Sequence, residues 1–134
     1  DDVKQGRENI DKYKVMISRV TSEHAGEPDK AGMYKVIANM RMLEPGEVCT
    51  DSYIIACPNT DMSITQNFAN YIRTKFVRFL LLQALSSINL SKETYAFVPI
   101  QDFSKTWTDE ELYAKYGLTD EEIAFIESMI KPME

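Results

Sequence analysis

Hydrophobic and polar positions alternate with period two in the first half of the chain and with period near 3.6 in the second. "YKVMISRV" (13–20) sets Tyr13, Val15 and Ile17 against Lys14, Met16 and Ser18 and predicts a strand. "MYKVIANMRML" (33–43) alternates again, Tyr34, Val36, Ala38 and Met40 opposing Lys35, Asn39 and Arg41. "SYIIAC" (52–57) is a continuous apolar run that predicts a buried strand, stopped by Pro58. "EPGE" (44–47) is a turn, in which Pro45 presets φ and Gly46 tolerates a positive one. Three strands in succession imply an antiparallel or mixed sheet.

The period then changes. "NYIRTKFVRFLLLQALSSINLS" (70–91) belongs to one long helix that Ser63 or Thr65 caps and that runs to about Ile88. On a helical wheel Phe68, Ile72, Phe76 and Phe79 share one side; Tyr71, Lys75 and Arg78 share nearly the opposite side, flanked by Asn67 and Thr74. Leu81, Leu82 and Leu85 fill the polar side beyond that point, so the far half is apolar all round and is expected to be enclosed. Arg73 lies off the stripe. "YAFVPI" (95–100) predicts a further short strand, with Pro99 confining it to an edge or an end. Two short helices close the chain: Thr108 with Glu111 and Thr119 with Glu122 each match a capping box, and Gly117 stands where a left-handed helix terminator is expected.

The fold class is α+β: a small antiparallel or mixed sheet packed on one long helix, with a C-terminal pair of short helices. At 134 residues the chain makes a single module, with residues 1–12 flexible, 13–100 forming the sheet and long helix, and 101–134 the helical tail. It starts at Asp1, which suggests a piece of a longer protein.

Charge changes the picture of the long helix. The net charge of −6 argues against whole-surface attraction to nucleic acid. Residues 64–105 nevertheless hold Arg73, Lys75, Arg78, Lys92 and Lys105 against Glu93 and Asp102, a local +3, whereas 106–134 sum to −6. Lys75 and Arg78 are either a solvated face, which composition alone favours, or a place where a phosphate backbone docks. The apolar run from Phe76 to Ile88, interrupted by Arg78 and Gln83, is too short to span a bilayer. Cys49 and Cys57 fit no zinc spacing and read as buried thiols in a reducing, cytoplasmic setting.

Reactive chemistry is hard to assemble. His24 is the only histidine and sits in "TSEHAGEPDKAG" (21–32), a loop of turn formers. The glycines are scattered singly, without a phosphate-binding loop. Glu110–Glu111 and Glu121–Glu122 lie in helix first turns, where capping explains them better than acid–base work. Glu44, Glu47 and Asp51 bracket a turn but lack the nearby strand lysine of a nuclease metal site. Trp107 is expected to pack as a hydrophobic lid.

"CTDSYIIA" and the run from "NYIRTKFVRFLL" through "FVPIQDFS" and "WTDEELYAKYGLT" to "IESMIKPM" resemble the C-terminal, target-recognition-like region of bacterial adenine-specific restriction–modification methylases, and "YKVMISRV" resembles the strand that opens that module. The resemblance covers nearly the whole chain. It implies a parent enzyme that transfers a methyl group from S-adenosylmethionine, with an Asn/Asp-Pro-Pro-aromatic motif around the flipped adenine. That motif is absent from this sequence. The chain itself is therefore expected to carry no cofactor and no catalytic residue, and to hold double-stranded DNA for the catalytic domain of the same chain, with no membrane partner. On that reading Arg73, Lys75, Arg78 and Lys92 become candidates for phosphate contact, and Asn89 and Ser91 candidates for polar contact with DNA. Loop 21–32 is an equally good place for base readout. The alternatives are a structural interdomain packing module without DNA contact, or part of a restriction endonuclease.

Overall fold

A computed structural model describes residues 10–18, 32–37, 40–47, 53–84 and 98–132. Three strands, β1 (Tyr13–Ser18), β2 (Met40–Leu43) and β3 (Tyr53–Asn59), form one sheet in the order β2-β1-β3. Both pairings are antiparallel, which resolves the sheet type that alternation left open. β1 is central, so Val15 and Ile17 are fully buried, as the alternation requires. Lys14 is buried too; its ammonium reaches back to the carbonyls of Ile10 (3.3 Å) and Lys12 (3.2 Å).

Pro58 does not stop the third strand. Tyr13 pairs with Asn59 and Val15 with Ala56, so the single residue Lys14 faces two residues, Cys57 and Pro58. This is a bulge, with Cys57 at φ 48°, and on an edge strand it absorbs a proline that has no amide to give. The strand expected over 33–43 is also shorter than its alternation. Val36 has φ 72°, which breaks the extended run, and Val36 and Ile37 are both fully buried in sequence. Tyr34 instead makes a parallel bridge to Ile130, its amide donating to the Met129 carbonyl (2.6 Å). Gly46, at φ 92°, forms the expected turn and donates its amide to the Ile10 carbonyl (2.7 Å).

The long helix is two helices, α1 (Met62–Arg73) and α2 (Lys75–Ala84). Neither Ser63 nor Thr65 caps α1: Asp61 does, accepting from the Ser63 amide (2.9 Å). Thr65 is buried, and its hydroxyl donates to the carbonyls of Cys57 (3.1 Å) and Tyr13 (3.4 Å), fastening α1 over the bulge. The tail follows its sequence closely. Helices α3 (Asp109–Lys115) and α4 (Asp120–Met129) both carry complete capping boxes on Thr108–Glu111 and Thr119–Glu122. Gly117, at φ 64°, ends α3, with Leu118 N–H donating to the Tyr113 carbonyl (3.0 Å). Of the strand expected over 95–100, residues 98–100 have no strand structure and 95–97 lie outside the described residues.

One core joins the layers. Val15, Ile17 and Ile54 from the sheet meet Ala69, Ile72, Val77 and Leu81 from α1 and α2, and Leu112 and Ile126 from the tail. Burying each such side chain contributes roughly 1.5–3 kcal/mol. Trp107 packs at the edge of this core as a partial lid, its indole N–H donating to the Asp102 carbonyl (3.0 Å).

Candidate nucleic-acid interface

The break between α1 and α2 decides where the basic residues go. Thr74 leaves the helical conformation (ψ 153°), and α2 starts afresh with free amides. The Thr74 hydroxyl accepts from Val77 N–H (3.2 Å). The Asp109 carboxylate, from the first turn of α3, accepts from Lys75 N–H (3.2 Å) and Phe76 N–H (2.9 Å). Burial pushes the Asp109 pKa up, outweighing the two amides that pull it down.

Arg78 is 1% exposed. Its Nε donates to the Arg73 carbonyl at the end of α1 (2.9 Å), and one terminal nitrogen donates to the Lys35 carbonyl (3.2 Å). A cation at a helix C-terminus also meets the negative end of its dipole. Tyr71, expected on the same stripe, is fully buried; its hydroxyl donates to the Pro99 carbonyl (2.8 Å) and accepts from Gln101 (3.3 Å). Lys75 bonds the Glu127 carboxylate of α4 (2.8 Å) and keeps 21% of its side chain exposed. Tyr113 donates to the other oxygen of Glu127 (2.7 Å). Burial acts to raise the Glu127 pKa, but Lys75 and Tyr113 outweigh it and hold the carboxyl below its usual range. Burial and that same carboxylate push the Tyr113 pKa up. The exposed stripe expected on Tyr71, Lys75 and Arg78 is thus a set of internal ties. A wheel drawn through residue 74 assumes one continuous helix, and the break resets the phase.

The face that α1 does expose is different. Ser63, Gln66 and Asn70 are exposed and Arg73 is half-buried, at spacings of three and four that line them along one side. α1 contains no Asp or Glu. Asn70 accepts from an Arg73 terminal nitrogen (3.5 Å), while the Arg73 Nε is buried without a hydrogen-bond partner. Asn67 turns away and donates to the Phe103 carbonyl (2.9 Å), so the 98–103 segment packs beside α1 through Phe103, whose ring meets Phe68 edge-on at 5.2 Å. The wheel carries the signal that sequence reading missed. Positions 63, 66, 70 and 73 form a polar row without an acid, overlooked because only one of them is charged.

Of the six sequence candidates, Arg73, Lys75 and Arg78 cluster around the break. Asn89, Ser91 and Lys92 lie outside the described residues, as do Cys49, Asp51, His24 and most of loop 21–32. Glu44 and Glu47 are held within their turn, the Glu44 amide donating to the Glu47 carboxylate (2.9 Å), which also pairs with Arg41 (3.6 Å). Among the described residues no group of His, Cys, Asp and Glu is placed to hold a metal ion. None of the described helices is long and apolar enough to cross a membrane. Comparison with protein-family models, curated proteins and solved structures yields no match.

Proposed function

We propose that this chain is a non-catalytic module that recognises and positions double-stranded DNA, with α1 as the contact helix, for an S-adenosylmethionine-dependent adenine methyltransferase of a bacterial, cytoplasmic restriction–modification system. The enzyme and its setting rest on the resemblance of the motifs quoted above. The observation that carries the DNA contact is the row of exposed Ser63, Gln66 and Asn70 with half-buried Arg73 on a helix free of acids, in a chain whose net charge is −6. Amides and guanidinium groups are the side chains that pair bidentately with base edges, and Ser and Arg also contact phosphates. Ten residues of helix advance about 15 Å, which matches roughly four base-pair steps of a major groove wide enough for a helix. Lys75, just beyond the end of α1, keeps a fifth of its side chain exposed beside Glu127 and would meet a phosphate only by leaving that carboxylate, and Arg78 holds the backbone between α1 and α2. Asn89, Ser91 and Lys92 keep their place in the proposal from the sequence alone.

The test is duplex binding by fluorescence anisotropy at two salt concentrations. Arg73→Glu is expected to weaken binding about tenfold and to lower the salt slope by about one. Gln66→Ala and Asn70→Ala are expected to narrow the difference between specific and random duplex. Binding that ignores all three substitutions would remove α1 from the interface. A second reading, a packing module without DNA contact, is favoured by the internal use of Lys75 and Arg78. It predicts no salt-sensitive binding to any duplex, and a catalytic domain whose melting temperature, but not its sequence preference, changes when the module is joined to it.

A further inference from the structure

Between α2 and α4, a groove of about 340 Å³ is lined by Phe76, Phe79 and Leu80 on one helix and Glu121, Glu122, Phe125 and Ile126 on the other, with Leu118 beside them. Phe125 is 55% exposed, although its ring meets Phe79 edge-on at 5.9 Å. Each wall presents residues at i, i+3 and i+4, the ridge spacing into which a third helix packs. Among the described residues the rim is charged with one sign: Glu121 and Glu122 line the groove, Asp120 precedes them, and no described Lys or Arg lines it. Leu118 also borders a second depression, of about 480 Å³, whose charged lining residues among those described are Glu110 and Glu127.

We propose that this groove is a docking site for a basic amphipathic helix of a partner polypeptide, which seats apolar anchors over Phe79 and Phe125 and sets Lys or Arg beside Glu121. A second copy of the chain is a poor occupant, because none of its described helices pairs an exposed apolar stripe with a basic flank. The site is independent of α1 and of the DNA reading.

The probe is a fluorescent synthetic helix of leucine and lysine, with a leucine–glutamate helix as its counterpart. Anisotropy titration is combined with backbone amide NMR shifts, and the oligomeric state is read by sedimentation. Saturable binding of the leucine–lysine helix is expected, with shifts concentrated in α2 and α4. Phe125→Glu is decisive because it adds negative charge while spoiling the groove. Docking there predicts binding at least about tenfold weaker, as for loss of an aromatic anchor; mere attraction to an acidic protein predicts equal or tighter binding and overturns the proposal. Phe125→Ala, which keeps the charge, is expected to weaken binding in the same direction. Glu121→Lys is expected to weaken it by a smaller factor. Equal affinity for the leucine–glutamate helix, shifts that map elsewhere, or a wild-type dimer that Phe125→Glu dissociates would each overturn the assignment.

Discussion

Helices α1 and α4 are similar in length and both lie with one side on the core, yet they spend charge in opposite ways. α4 opens with Asp120, Glu121 and Glu122, and later places Glu127 against Lys75 and Tyr113. Its solvent side is therefore acidic, interrupted by the exposed ring of Phe125. α1 is capped by Asp61 from outside and carries no acid within. Its solvent side is a row of hydroxyl, amide and guanidinium groups. The difference teaches that the charge a segment holds in sequence is not the charge it shows. The +3 of residues 64–105 includes Arg78, which is buried, and Lys75, which is paired. What distinguishes the α1 face is the acids it lacks more than the cations it has.

The largest expected effect comes from taking away the cation that this comparison assigns to structure. Arg78→Ala takes the guanidinium from the Arg73 and Lys35 carbonyls, the second of which keeps the Ile37 amide, and empties the buried volume of the side chain. It should cost about 3 kcal/mol, the sum of a charged hydrogen-bond loss and a cavity. A urea midpoint that falls at constant slope would show this. A variant as stable as wild type would return Arg78 to the list of surface contacts.

Asp109→Ala comes next. Two amides at the start of α2 lose their acceptor, which should cost about 1–2 kcal/mol. Asp109→Asn should cost less, since an amide oxygen still accepts and no charge is buried. The pH dependence separates the two terms. Asp109 has its folded pKa raised, so its favourable contribution is complete below the unfolded value and fades as pH rises through the folded one. The stability of wild type relative to Asp109→Asn should therefore grow as pH falls from neutral and level off below about 3.9. Glu127 titrates with the opposite sign, because its folded pKa is lowered, and largely cancels in that difference. A difference that shrinks on acidification would mean that the charged carboxylate is the favoured cap.

How much of this was legible follows from how far apart the determinants lie. The capping boxes of α3 and α4 are local patterns of four residues, and both stand as read. The alternation of β1 was enough to place Val15 and Ile17 in the core. The break at Thr74 was not legible, because one of its two caps comes from Asp109, across 34 residues from Lys75. Once that break went unseen, the wheel assigned Tyr71, Lys75 and Arg78 to solvent. Pro58 was read by its missing amide, which ends a central strand but fits a bulge at an edge; edge position is a property of the sheet. At the candidate interface only Arg73 carries a charge that the sequence marks as a phosphate contact. Gln66 and Asn70 are uncharged and carry weak sequence signals.

Thr108→Ala and Thr119→Ala should each cost about 1 kcal/mol, the usual loss of a cap, and affect α3 and α4 alone. Amide exchange should quicken in the first turn of the helix concerned while α1 keeps its protection. Loss of protection across both helix pairs would show that the tail and α1 unfold as one unit.

The smallest expected change in stability is the most informative for function. Gln66 and Asn70 are exposed, and among the described residues the Asn70 side chain takes part in the long bond from Arg73 alone. Replacing either with Ala should leave stability within about 0.5 kcal/mol, and the higher helix propensity of Ala should tip Asn70→Ala slightly upward. Gln66→Glu and Asn70→Asp should be as mild in the melt, but they put acids on an exposed face of a helix that has none. If that face meets a phosphate-lined groove, both acids should weaken duplex binding more than the alanines do, and the gap should close as salt rises. If the acids and the alanines behave alike at low salt, α1 is only a solvated face, and the contrast with α4 has no functional meaning.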